Sequence, residues 1–220
     1  MIRILIYVLM LGIGVSTTSH ASSQCIEPTT ITAVIDAKIG AKVVAQACRI
    51  SIGKYRITLR VMSRNKLLQT VKVEGEGEAY QLSIDTSVDI NLDGVSDLGV
   101  ATGKGRAGDG MHYWVVAAKP ARLLDLGEAP RLTRPTSEQK LLFALIPSGG
   151  EIQSTRVEYE FTNSALVPTR AIQFRPGTDG TYEITVLDCI PGEALAWRLT
   201  STQRISEEQA QACMSGAPCP

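Results

Sequence analysis

YRITLRVMSRNKLLQTVKV, residues 55–73, alternates apolar and polar side chains on both sides of a polar interruption. Successive side chains of an extended chain point to opposite faces. Tyr55, Ile57, Leu59 and Val61 therefore share one face, and Arg56, Thr58 and Arg60 share the other. Ser63-Arg64-Asn65-Lys66 supplies the turn, and LLQTVKV returns. The stretch predicts a β-hairpin.

Working outward, similar runs recur at 80–84, 98–101, 113–118, 141–146, 156–161, 170–174, 182–187 and 194–199. Gly, Pro, Asn and Asp punctuate them. Short strands at roughly ten-residue spacing with such turns predict an antiparallel all-β domain. The Pro- and Thr-rich segment 126–140 reads as a long surface loop. The C-terminus departs from the pattern. Ser206-Glu207-Glu208-Gln209 has the form of a capping box, with Ser206 as N-cap and Gln209 reaching back, and predicts a short helix to about Met214.

The chain opens MIRILIYVLMLGIGVSTTSHASSQC, in which Arg3 precedes an apolar run from Ile4 to Val15. Ser19 and Ala21 stand at signal-peptidase spacing. We expect a secretory signal peptide over 1–21 and one β domain over 22–220. The apolar run falls short of the roughly 20 residues that span a bilayer, so no membrane span is expected after signal removal. Ser22-Ser23-Gln24 lacks the residues of a lipobox before Cys25. The expected location is periplasmic or secreted.

Export would remove one of 22 basic residues against 22 acidic ones, leaving a net charge near −1. That balance argues against nucleic acid as a partner. The chain has two histidines, and His20 would leave with the signal. Any histidine-dependent catalytic arrangement would have to run through His112. Five cysteines sit near the two ends of the mature chain. In an oxidising compartment they predict disulfides. The candidates are Cys25, Cys48, Cys189 and Cys213. Cys25–Cys48 is the N-terminal pair, worth about 3 kcal/mol for closing its loop. A second bridge is expected among Cys189, Cys213 and Cys219.

Between two strand-like runs lies DINLDGVSDLGVA, residues 89–101. Counting Asp89 as position 1, oxygen-bearing side chains fall at positions 1, 3, 5 and 9: Asp89, Asn91, Asp93 and Asp97. Gly94 holds position 6, where a calcium loop turns sharply, and the Val95 carbonyl holds position 7. This matches the first three-quarters of an EF-hand loop. A Ca²⁺ ion among these ligands would offset the repulsion of the clustered carboxylates. Position 12 is Val100, so the usual glutamate is missing and the flanks are strand-like. Asp85 and Asp109 are the nearest candidates for a further ligand.

The string Asp-Ile-Asn-Leu-Asp-Gly-Val-Ser-Asp-Leu resembles the calcium loop of FG-GAP and related propeller-type repeats. The order that follows is a strand, a glycine-rich loop at 103–110 and the aromatic strand Met111-His112-Tyr113-Trp114. It is similar to small exported bacterial proteins related to periplasmic lysozyme inhibitors, some of which are immunity proteins against peptidoglycan hydrolases. The likeness spans about residues 80–161, and Ala118-Lys119-Pro120 departs from the turn usual in that family. It implies a propeller-like fold and a protein partner. The fold expected is thus antiparallel all-β, propeller-like or sandwich-like, with a short C-terminal helix.

Gly103-Lys104-Gly105-Arg106-Ala107-Gly108 has dinucleotide-motif spacing but lacks the helix that motif needs. It reads instead as a loop presenting Lys104 and Arg106 to an acidic partner. His112, Tyr113 and Trp114 could form an aromatic sugar platform or belong to the core. Pro147-Ser148-Gly149-Gly150 is similar to the Ser-Gly loops by which lysozyme inhibitors enter an active cleft, which places Ser148 and Gly149 among the candidate contacts. The function expected is a calcium-stabilised exported binding protein, not an enzyme, that inhibits a peptidoglycan-cleaving hydrolase. A calcium-dependent carbohydrate or adhesion module is one alternative and a cell-wall hydrolase a second.

Overall fold

The computed structural model describes residues 25–36, 40–78, 80–104, 110–118, 121–135, 141–190 and 196–220. The signal-peptide segment, Arg106 and Asp109 lie outside these residues. The described chain is all-β and antiparallel, and it forms three successive sheets. β1 (Ile26–Asp36), β2 (Ala41–Ser51), β3 (Lys54–Ser63) and β4 (Lys66–Glu76) make the first, in chain order. β5 (Ile84–Asp85), β6 (Leu98–Ala101), β7 (Gly110–Ala118) and β8 (Ala121–Pro130) make the second. β9 (Leu142–Pro147), β10 (Ser154–Thr162), β11 (Ala165–Pro176), β12 (Thr181–Cys189) and β13 (Trp197–Ser206) make the third. Helix α1 (Glu207–Met214) follows β13 directly.

The hairpin predicted at residues 55–73 is β3–β4, with Ile57, Leu59 and Val61 fully buried. Its turn runs through Arg64 and Asn65, both at positive φ. That conformation matches the right-handed twist of the flanking strands.

Three apolar clusters stack the sheets. Val43, Ala45, Ile57 and Leu59 of the first sheet meet Leu98, Val100, Trp114 and Val116 of the second. Met111 and Tyr113 of the second meet Leu142, Ala144, Val157 and Tyr159 of the third. Ile172, Phe174 and Ile184 of the third meet Ala210, Cys213 and Met214 of α1. The middle sheet is thus covered on both faces, which is why β7 reads as a near-continuous apolar run instead of alternating.

Several expectations need correction. Residues 80–83 are not strand, and the short β5 begins only at Ile84. Residues 126–130 belong to β8, not to a loop. Strands β1 and β2 carry weaker signals. The buried face of β2 is Ala41, Val43, Ala45 and Ala47, and alanine is depleted in strands. β1 lies at a sheet edge, where Pro28 is tolerated because its missing N–H faces no partner. The helix is as expected: Ser206 Oγ accepts from Gln209 N, and Gln209 Oε1 accepts from Ser206 N.

Disulfides join Cys25 to Cys48 and Cys213 to Cys219, each with Cα atoms 5.0 Å apart. The second bridge expected among Cys189, Cys213 and Cys219 is Cys213–Cys219, and Cys189, a candidate disulfide cysteine, is free. Thr181 pairs with Ser206 and Cys189 with Trp197, so α1 starts at one end of β12 and Cys189 sits at the other. The start of α1 and Cys189 are thus roughly 26 Å of extended strand apart, and Cys213 pairs instead with Cys219, six residues on. Alkylation of unfolded, non-reduced protein should therefore modify one thiol, at Cys189. Peptide mapping that finds label at Cys213 or Cys219 would refute this pairing.

Candidate functional site

The acidic loop joins β5 to β6 at the edge of the middle sheet. Val88 and Ile90 anchor it in the core under the third sheet, and Val95 packs on the core under the first. Leu92 (φ 61°) and Gly94 (φ 84°) are both left-handed. These two residues curl the chain between the apolar anchors, and the polar side chains turn back onto the loop's own backbone. Asp89 accepts from Asp93 N through Oδ1 (3.2 Å) and from Gly94 N through Oδ2 (2.9 Å). Asn91 Oδ1 accepts from Asp93 N at 3.2 Å, and Asp93 Oδ1 accepts from Val95 N at 2.8 Å. Asn91 Nδ2 donates to Asp93 Oδ2 at 2.8 Å.

Asp97 has a separate role. It is 2% exposed. Oδ2 accepts from Ile90 N at 2.6 Å and Oδ1 from Val116 N at 2.8 Å. Leu98 is the first residue of β6 and pairs with Trp114 of β7. One residue before it, the Asp97 carboxylate supplies a further rung to β7 at Val116 N. Burial pushes its pKa up to about 6, against the opposing pull of the N–H groups of Val116, Ile90 and Asn91.

Repulsion in the loop is eased by a residue distant in sequence. Arg134 Nη2 donates to the Asp89 carbonyl and lies 3.9 Å from Asp89 Oδ2. Its position, 45 residues on, gives no local signal that would have linked it to the loop. Asp85 is occupied as a turn cap, accepting from Ser87 N (2.9 Å) and Ser87 Oγ (2.6 Å).

The oxygen donors suit a hard cation by chemistry. Asp89, Asn91, Asp93 and the Val95 carbonyl are the residues that would hold Ca²⁺, and each carboxylate oxygen keeps a second lone pair beside its N–H bond. Asp97 retains one such pair on each oxygen. Among the described residues, no three or more His, Cys, Asp or Glu side chains are gathered as a metal cluster.

The other candidate contacts are dispersed. Lys104 is ion-paired to Glu128, which holds its ammonium pKa above the usual value. His112 stacks on Trp114 with ring centroids 4.3 Å apart, and its Nε2 lies 2.8 Å from Asp125 Oδ1. Tyr113 is not a surface contact. It is 1% exposed, and its hydroxyl accepts from Leu132 N at 2.7 Å. The sugar platform proposed for residues 113 and 114 is corrected on the same ground, because a strand covered on both faces presents neither ring to solvent. Ser148 and Gly149 form the β9–β10 turn on the third sheet, where Ser148 N donates to Gln153 O at 3.1 Å.

No protein-family model and no curated protein matches the chain. Among solved structures, it is similar to one described as a Xanthomonas type IV secretion system related protein. The two align over 79% of this chain and 99% of that one, at 15% identity and a TM-score of 0.48.

Two disulfides suit a protein that folds in an oxidising compartment. Among the described residues, no helix is long and apolar enough to cross a membrane.

Proposed function

We propose that this is a periplasmic or secreted binding protein, not an enzyme. In this reading Asp89, Asn91, Asp93, the Val95 carbonyl and Asp97 hold one structural Ca²⁺. The observation that carries the reading is the path of residues 89–97. Left-handed residues at positions 4 and 6 curl an Asp/Asn/Asp sequence whose oxygens are of the hard type calcium takes. Loop and ion would fix the β5–β6 connection, and the cation would act on binding through the shape of the neighbouring surface. The partner we propose is a peptidoglycan-cleaving enzyme, which the protein would inhibit. That part rests on the resemblance of the loop and the aromatic strand to exported lysozyme-inhibitor relatives.

The test has two arms. A ligand that binds only the folded state adds about 2.7 kcal/mol of stability at a hundredfold excess over its Kd. In a protein of this length each kcal/mol moves the melting temperature by roughly 2–4 °C. Calcium should therefore raise the melt by roughly 5–10 °C over chelator, and Asp93→Ala should abolish the rise. An identical melt, with no calorimetric heat at millimolar calcium, would remove the metal from the proposal. In the second arm, turbidity loss of sacculi digested by an envelope extract should slow when the protein is added. Undiminished digestion at excess protein would refute the inhibitor role.

A further inference from the structure

We infer a second site, a carbohydrate-binding cleft at the end of the first sheet, for a neutral pyranose ring. None of its residues belongs to the acidic loop. The cleft is about 300 Å³ and lies between the Tyr55–Tyr80 pair and the start of β1. That volume is at the lower end of small-molecule sites, the size of a sugar unit and too small for a large cofactor.

The aromatic wall is fixed by backbone. Tyr55 and Tyr80 meet with ring centroids 4.6 Å apart, and the Tyr80 hydroxyl donates to the Ala101 carbonyl at 2.7 Å. The Tyr80 ring lies against Gly75 and Gly103. A Cβ at Gly75 would come within 3.2 Å of the ring, and one at Gly103 within 2.0 Å of the Glu76 carbonyl and 3.0 Å of the ring. Small residues at both positions let the ring settle against the sheet, so the wall is in place before any ligand arrives.

The start of β1, two strands away from Tyr55 in the same sheet, carries the charge. Glu27 is left-handed, with φ 51°, a conformation that non-glycine residues rarely adopt. It sits in a register shift of β1, where Ile26 pairs with Arg49 and Thr29 with Ala47. Irregularities of this kind re-aim a side chain, and strain of this kind clusters at ligand sites. The Cys25–Cys48 disulfide pins the chain two residues before Glu27. Arg49 Nη2 lies 3.1 Å from Glu27 Oε2, which orients the carboxylate. Ala47 and Leu82 are buried, and Thr29 and Gln81 are exposed.

A rigid aromatic pair and an oriented carboxylate lining one cleft match the apolar face and the polar rim of a pyranose. The C–H face packs on an aromatic ring, and adjacent hydroxyls donate to the carboxylate oxygens. The residues lining the cleft include a carboxylate and no cationic side chain, and Arg49 is already paired to Glu27, so a uronic acid finds no charge partner there and a neutral sugar is selected.

The full mature protein should be titrated with cellotetraose and chitotetraose by calorimetry, with trigalacturonate as the acidic control. We expect millimolar binding to at least one neutral oligosaccharide and none to trigalacturonate. Tyr55→Ala should weaken binding about tenfold, the loss that 1.4 kcal/mol of aromatic contact represents, while Tyr55→Phe retains it. Glu27→Gln at the exposed carboxylate should weaken it several-fold with an unchanged melt, which separates a binding role from a folding defect at Tyr55. Absence of binding to both neutral probes, preference for trigalacturonate, or full affinity in Glu27→Gln would overturn the site. Calcium and chelator should leave sugar affinity equal, so this result stands or falls apart from the metal.

Discussion

Arg156→Ala is expected to destabilise the protein by about 3–5 kcal/mol, the cost of breaking a buried ion pair from one side. Arg156 is fully buried, and its Nη2 lies 2.8 Å from Glu158 Oε1, off the N–H axis. Nη1 donates to the carbonyls of Cys213 and Ala217, and the guanidinium carbon stands 4.5 Å over the Phe143 ring. One side chain thus ties β10 to the end of α1 and to the ring closed by Cys213–Cys219. Truncation would leave Glu158, 5% exposed, with Arg170 at 4.0 Å as its remaining cation among the described residues, and would take the Arg156 donor from the Ala217 carbonyl, while the Cys213 carbonyl keeps Gly216 N at 3.2 Å. Burial also lowers the Arg156 pKa, opposed by the Glu158 charge. The pair is therefore costly to hold and costlier to break. Replacing both partners, as in Arg156→Met with Glu158→Leu, should recover much of the loss. Urea unfolding of the single and double variants decides the matter. A single variant within 1 kcal/mol of wild type would contradict the role assigned to Arg156.

The second large effect is expected at Asp97. Asp97→Ala would leave Ile90 N and Val116 N buried without acceptors. At about 1–3 kcal/mol for each of the two unsatisfied groups, the loss should reach about 2–6 kcal/mol. Asp97→Asn keeps one acceptor oxygen and should cost roughly half as much. Both should be seen in chelator, because the carboxylate bonds the backbone whether or not an ion is present. Hydrogen exchange supplies an independent readout: the Val116 amide should lose protection in Asp97→Ala while amides of β12 keep theirs. Equal stability of the two variants and wild type in chelator would leave Asp97 with no structural role of its own. The same experiment separates Asp97 from Asp89 and Asp93. Those two carboxylates bond the exposed backbone of their own loop, so their substitution in chelator should cost far less.

The sequence alone was enough to specify the antiparallel all-β class. Period-two alternation in β3 and β4, turn residues between the runs and the capping box of α1 are local signals, written within a few residues of what they build. Cys25–Cys48 and the oxygen pattern of residues 89–97 are legible in the same way. The tertiary structure decided what depends on which surfaces meet. Stacking of three sheets buried β7 on both faces, which withdrew Tyr113 from the surface. The same stacking turned Asp97, at position 9 of a cation-type pattern, into an inter-strand clamp. Among Cys189, Cys213 and Cys219 the tertiary structure chose the last two, which meet just beyond α1, while Cys189 sits at the other end of β12 from the start of α1. Arg134 and Arg156 gave no sign of their contacts, since each acts on groups that only folding brings near. Spacing records which side of its own strand a residue occupies. It carries no record of the sheet that will cover that side, because that depends on long-range contacts.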